Sequence, residues 1–128
     1  MSSLRVLVAD DDEDMRTWLY QVLSSCGAEV CEAADGDEAL WNLGNNGPYD
    51  AFIVDEHMPS VPGHFVAGAL RTVGLATPIL MISAGPGDKL AALVAQLPGA
   101  AFLAKPLRRE DVESWCAGCS GARPERTA

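Results

Sequence analysis

Four short, mostly apolar runs in this chain stop abruptly at a residue that could do chemistry. Ala51-Phe-Ile-Val54 ends in Asp55 ahead of the turn Glu56-His-Met-Pro59, and Leu4-Arg-Val-Leu-Val-Ala9 ends in Asp10 and Asp11. Pro78-Ile-Leu-Met-Ile82 ends in Ser83, and Ala100 to Ala104 ends in Lys105-Pro106. A single Asp after a strand most often caps a turn, so Asp55 alone decides nothing. Gathered in one place, the set is different. Three carboxylates repel one another by up to ~4 kcal/mol per pair at about 4 Å with an effective dielectric near 20. A hard divalent cation offsets that repulsion, and Mg²⁺ favours one or two carboxylates plus waters and phosphate oxygens. Lys105 offers a compact positive charge to anionic oxygens, and the Ser83 hydroxyl can donate to one. Acceptor carboxylate, metal site, cation and hydroxyl donor together suit a phosphoryl group carried transiently on an Asp.

Convergence requires a particular architecture. Each run is too short for a helix, and Pro59 opposes helix after Asp55, so the runs read as buried strands. Between them the apolar period changes to that of a helix. Met15, Trp18, Leu19, Val22 and Leu23 recur at i, i+3, i+4, i+7 and i+8 until Gly27, and acids at 12 to 14 suit the positive end of that helix. A less apolar strand follows over 28–33, then a helix opened by Asp35-Gly-Asp-Glu38 that turns Ala39, Leu40 and Leu43 inward. Asn45-Asn-Gly-Pro48 breaks it. Val66, Ala69, Leu70 and Val73 predict a third helix closed by Gly74. Leu90, Leu93, Val94 and Leu97 predict a fourth after the Gly85-Pro-Gly87 break, and Val112, Trp115, Cys116 and Cys119 a fifth. Five strand and helix units in series imply an α/β fold, a doubly wound five-stranded parallel sheet with helices on both faces. Parallel strands put all their carboxyl ends on one rim, where such folds bind ligands.

The 128 residues suffice for one domain with a real core, expected over 1–119, followed by a flexible tail over 120–128. A net charge of −9, from 18 acidic and 9 basic residues, opposes direct nucleic-acid binding. Five of the acids stand together at 10–14. No apolar run approaches a membrane span, and the first residues lack a signal peptide's pattern, so a cytoplasmic protein without membrane contact is expected.

On Val8-Ala-Asp-Asp-Asp12, Asp55-Glu-His-Met-Pro59, Ile82-Ser-Ala84 and Ala104-Lys-Pro106, the chain resembles the receiver domain of two-component response regulators from Leu4 to about Cys119. Each motif is weak alone, but four in order at strand ends are specific. The resemblance implies a flavodoxin-like sheet with strand order 2-1-3-4-5. It implies that Asp55 accepts a phosphoryl group from a phosphohistidine on a histidine kinase or histidine phosphotransfer protein. Asp10, Asp11, Asp55 and the His57 backbone carbonyl would hold Mg²⁺. Ser83 and Lys105 would bind phosphoryl oxygens, with Lys105-Pro106 cis. Ser83 and Phe102 would form a switch read by a downstream effector from the fourth helix, fifth strand and fifth helix. Such a chain is no enzyme beyond making and breaking its own acyl phosphate. Several positions depart from the family pattern. His57 stands two residues after the acceptor, Val61-Pro62 replaces the more usual Met-Asp, Phe102 replaces Tyr, and Gly118 is expected to interrupt a short last helix.

Other readings are weaker. Cys116-Ala-Gly-Cys119 has redox spacing, but it closes a helix where such motifs open one, and its thiols fit the packing stripe. Zinc binding by Cys26, Cys31, Cys116 and Cys119 competes with their use as small hydrophobes. A haloacid-dehalogenase-like phosphatase would use Asp10 as nucleophile, but Asp14 stands where Thr or Val is expected. The third alternative is a phosphorylation-independent binding module. Trp41 and Phe65 fall off the core stripes and are expected at the surface.

Overall fold

The computed structural model describes residues 4–73, 76–85 and 88–122. Strands and helices alternate along the chain: β1 Arg5–Ala9, α1 Glu13–Ser25, β2 Glu29–Ala33, α2 Gly36–Asn46, β3 Ala51–Asp55, α3 Gly63–Thr72, β4 Ile79–Ser83, α4 Asp88–Val94, β5 Ala100–Ala104 and α5 Arg109–Ala122. The strands form one sheet in the order β2-β1-β3-β4-β5, all pairs parallel. The expected doubly wound fold and strand order are therefore present.

Strands read as continuous apolar runs because both faces of the sheet are covered. Val6, Val8, Ile53, Leu80 and Ile82 point to one face, where Leu19, Val22 and Leu23 of α1 meet Val112 and Cys116 of α5. Leu7, Ala9, Phe52, Val54 and Met81 point to the other, beneath Ala39 of α2, Val66, Ala67 and Leu70 of α3, and Leu90 and Val94 of α4. Full burial of a Leu, Ile or Phe is worth about 1.5–3 kcal/mol, so these two layers hold the rim in place. Two helices begin on side-chain caps: Asp12 accepts from the Asp14 N–H, and Asp35 from the Glu38 N–H.

Some details differ from the sequence expectation. The buried stripe of α3 is Gly63, Val66, Ala67 and Leu70, while Val73 caps the helix and is exposed. The stripe is rotated because the helix starts at Gly63, pressed against β3, which fixes its inward face. Leu93 is also exposed, and Leu97 lies in the turns after α4. Gly118 does not interrupt α5, which runs through it to Ala122. The buried row Val112, Cys116 and Cys119 anchors that helix against the cost of about 1 kcal/mol that an interior glycine carries. Gly74, Pro86, Gly87 and residues 123–128 of the expected tail lie outside the described residues. Trp41 and Phe65 are exposed as expected. Among the described residues no helix is long and apolar enough to cross a membrane.

Candidate functional site

β1 and β3 are neighbours, so Asp10, the residue after β1, and Asp55, the last of β3, reach the same rim. Both are almost completely buried, at 0% and 1% exposure, whereas Asp11 faces solvent. Carboxylate oxygens of Asp10, Asp11 and Asp55 lie within 4.8 Å of one another. That set of hard oxygen donors suits a small divalent cation. β4 ends beside β3, with Asp55 paired to Ile82, so Ser83 follows immediately on the rim. Ser83 is buried, and its hydroxyl accepts from the Gly85 N–H at 3.3 Å.

Lys105 reaches in from the end of β5, after a main-chain hydrogen bond from its N–H to the Ser83 carbonyl at 2.8 Å. The bond to Pro106 is cis. Its ammonium donates to Asp10 Oδ2 at 3.0 Å and lies 3.5 Å from Asp55 Oδ1. Asp10 is fully engaged, since its Oδ1 also accepts from the Asp12 N–H at 2.9 Å. Asp55 is not. Its Oδ1 is buried and has no hydrogen-bond partner, although the carboxylate accepts from the His57 main-chain N–H. The 3.5 Å ion pair with Lys105 only partly compensates that oxygen, which costs free energy until a further cation or a proton meets it.

The electrostatics follow. Burial, then the charge of Asp10, pushes the Asp55 carboxyl up to about 6, against the opposing pull of Lys105 and the His57 N–H. Burial works against the charged form of Lys105, but its hydrogen bond and charge pairing with Asp10, and its attraction to Asp55, outweigh this and raise its pKa. The pocket therefore holds more negative charge than its one ammonium offsets.

His57 follows on the exposed turn and borders a cleft of about 250 Å³ shared with Glu56, His64, Ser83, Lys89, Leu90 and Leu93. Phe102 pairs with Met81 on the sheet and is half-buried against the cluster beneath α2, α3 and α4. The structure thus gathers Asp10, Asp11, Asp55, Ser83 and Lys105 on one rim, with the His57 turn beside them and Phe102 three residues before Lys105.

Three participants were not visible in the sequence. Arg16 of α1 donates to the Asp10 carbonyl at 2.7 Å and pairs with Glu32 at 3.3 Å. Glu56 accepts from the His64 N–H at 2.7 Å, and its second oxygen lies 2.5 Å from the His64 ring Nδ1. Arg16 reads as an ordinary exposed helix residue, and nothing in a linear pattern joins residues 56 and 64 across a turn.

Three of the four cysteines lie together, Cys26 against Cys116 and Cys116 beside Cys119, but the fourth does not join them. Cys31 lies on β2 near Arg5, on the face away from Cys116 and Cys119. Burial pushes the Cys116 thiol up to about 11 and the Cys119 thiol up to about 12, which suppresses the thiolate that redox chemistry needs.

A family model described as "Response regulator receiver domain" matches residues 6–116. The chain belongs to that family. It is 39% identical over 108 residues to the transcriptional regulatory protein PrrA of Mycobacterium tuberculosis, covering 83% of this chain and 45% of the relative. It is 40% identical over 111 residues to the response regulator MprA of a Mycobacterium species, covering 85% and 47% respectively. The chain thus spans less than half the length of these relatives. Among solved structures, the receiver domain of the putative response regulator NarL from M. tuberculosis matches at 31% identity and a TM-score of 0.83, covering 96% of this chain and 100% of that one. The chemotaxis response regulator CheY4 of Vibrio cholerae matches at 27% identity and a TM-score of 0.81, covering 92% and 99%.

Proposed function

We propose that this receiver accepts a phosphoryl group on Asp55 from the phosphohistidine of a histidine kinase or histidine phosphotransfer protein. The observation that carries the reading is the buried Asp55 Oδ1, which has no hydrogen-bond partner and only a 3.5 Å ion pair with Lys105, beside two further carboxylates. Asp10 has no such oxygen to offer. Both of its oxygens are bonded within the pocket, which disfavours it as the nucleophile of a phosphatase.

In this reading Asp55 Oδ attacks phosphorus along the line of the P–N bond. That bond breaks, its electron pair stays on the donor imidazole, and an aspartyl phosphate remains. Asp10, Asp11, Asp55 and the His57 carbonyl would hold Mg²⁺, whose contribution is to neutralise charge on the phosphoryl oxygens. Lys105 pairs with one phosphoryl oxygen and exchanges its contact with Asp10 for it. The Ser83 hydroxyl turns from Gly85 to donate to another. Phe102 then moves into the space that Ser83 vacates, and the surface of α4, β5 and α5 carries the change to an effector. The effector is a domain on the same polypeptide or a separate protein. With a net charge of −9, DNA contact belongs to that effector and not to this chain. The chain catalyses only the gain and loss of its own phosphoryl group, and a cytoplasmic setting follows from that partner class.

The test is to incubate the protein with acetyl phosphate, with and without Mg²⁺, and to map acid-labile phosphate by mass spectrometry. Labelling should require Mg²⁺, fall on Asp55 and vanish in Asp55→Asn. Label on Asp10, or label that survives Asp55→Asn, would sink the proposal.

A further inference from the structure

We propose that Glu56 and His64 are positioning residues of the acceptor site, a clasp that sets the turn bearing the His57 carbonyl at the distance a cation on Asp55 requires. The inference rests on the phosphoacceptor reading above and extends it to residues outside the five that meet at the rim.

The turn from Glu56 to Gly63 needs an external support. Ser60 sits at φ 71°, a left-handed conformation that costs a non-glycine residue about 1–3 kcal/mol and persists only where its surroundings impose it. α3 begins immediately after the turn, but its cap residue is Pro62, which has no side-chain acceptor and makes no capping bond. The first helical N–H groups would otherwise lack a partner. The Glu56 carboxylate fills that role from outside the helix. Oε1 accepts from the His64 N–H at 2.7 Å, while Oε2 meets the His64 ring Nδ1 at 2.5 Å. In the tautomer with hydrogen on Nδ1, the ring donates as well, and one carboxylate grips the same residue twice.

The main chain of Glu56 ties the clasp to the acceptor. Its N–H donates to the Ile82 carbonyl at 2.9 Å, and its carbonyl accepts from Met58 at 3.2 Å and from Gly63 at 3.1 Å. The residue therefore joins β4, the turn and the start of α3, and it stands between Asp55 and His57 in the chain. With the side chain at 16% exposure and that of His64 at 44%, the pair is shielded on the carboxylate side and open on the ring side. Groups hydrogen-bonded directly to a metal's ligands change its affinity about 10–100-fold when removed, and Glu56, which acts on the His57 carbonyl only through the chain, belongs at the lower end of that range. The clasp acts through the carbonyl of His57 and touches neither phosphorus nor its leaving group.

The test compares wild type with Glu56→Ala, Glu56→Gln and His64→Ala in the full chain. Two quantities are read: the Mg²⁺ half-saturation, from calorimetric titration with MgCl₂, and the Asp55 labelling rate by acetyl phosphate at saturating Mg²⁺. Glu56→Ala should raise the half-saturation about tenfold while the saturated rate stays within about twofold. Glu56→Gln, which keeps an acceptor for the His64 N–H, should restore most of the affinity. His64→Ala should give a smaller loss, because the main-chain grip remains. Circular dichroism melts confirm that each variant is folded at the assay temperature; if Glu56→Ala is not, the Gln and His64→Ala variants carry the comparison. Unchanged half-saturation in the folded variants overturns the clasp, as does an equal loss from Ala and Gln. Failure of the underlying reading looks different: wild type itself would neither bind Mg²⁺ nor label at Asp55.

Discussion

At the scale of single residues, the pKa of Asp55 bears on stability. Asp55 rises from 3.8 to about 6 in the folded protein, so the folded state holds its proton more tightly than the unfolded chain does. The stabilisation from that proton is complete below pH ~4 and is lost as pH rises through about 6, so at neutral pH the metal-free protein carries a penalty. Solvent reaching the pocket through Asp11 reduces it, and a penalty of about 1–2 kcal/mol is reasonable for a shift of this size. Asp55→Asn should therefore raise the melting temperature of metal-free protein at pH 7.5, with the gain shrinking toward pH 4. A variant that melts lower than wild type at pH 7.5 would contradict the account. Lys105→Ala acts in the opposite sense, leaving Asp10 and Asp55 without their shared cation. It should lower the melting temperature at neutral pH and less so at pH 5. Slow labelling of Asp55 should persist in it, while the amide chemical-shift changes in α4 and β5 that accompany labelling of wild type disappear.

At the scale of elements, the turn between β3 and α3 is tightly constrained. A Cβ on Gly63 would meet the Asp55 carbonyl oxygen at 2.3 Å, and one on Gly36 would meet the Val61 carbonyl oxygen at 2.4 Å. Main-chain atoms cannot retreat from such contacts cheaply, so Gly63→Ala should destabilise by about 2–3 kcal/mol and displace Asp55 with it. Denaturant melts alongside Mg²⁺ titrations would show both losses; a stable Gly63→Ala with normal metal affinity would refute the close approach. Ser60→Gly, by contrast, relieves a left-handed residue and should leave stability unchanged or raise it by up to about 1 kcal/mol. These elements also mark where the sequence was readable. β1, β3 and β4 were plain because burial on both faces leaves continuous apolar runs, and their final polar residues then stand out. α3 was harder, because Gly63 sets its inward face through contact with β3, and that contact has no periodic signature. The link between Glu56 and His64 was invisible for a similar reason: its partners meet only once Ser60 has turned the chain back.

At the scale of the whole molecule, fold and site were legible together because a parallel sheet converts sequence order into one rim. What the sequence could not supply was degree. It placed Asp10 and Asp11 alike, yet one is fully buried and bonded while the other faces solvent. A cation bound between them should stabilise the folded chain by about 2.7 kcal/mol at a hundredfold excess over its dissociation constant. Thermal melts in rising MgCl₂ should show the transition moving upward in wild type, with little movement in Asp55→Asn. An equal shift in both would indicate general screening of the −9 charge rather than site binding. The contact from Lys105 to Asp10 joins residues 95 positions apart and spans strands that are not neighbours in the sheet. Translation therefore delivers the ammonium long after the carboxylate it closes upon. A ribosome-bound or proteolysed fragment that stops short of β5 contains Asp10 and Asp55 but lacks their counter-charge. Under the proposed reading such a fragment is labelled only slowly and relays nothing, so the ability to signal arrives in one step, once β5 has been made.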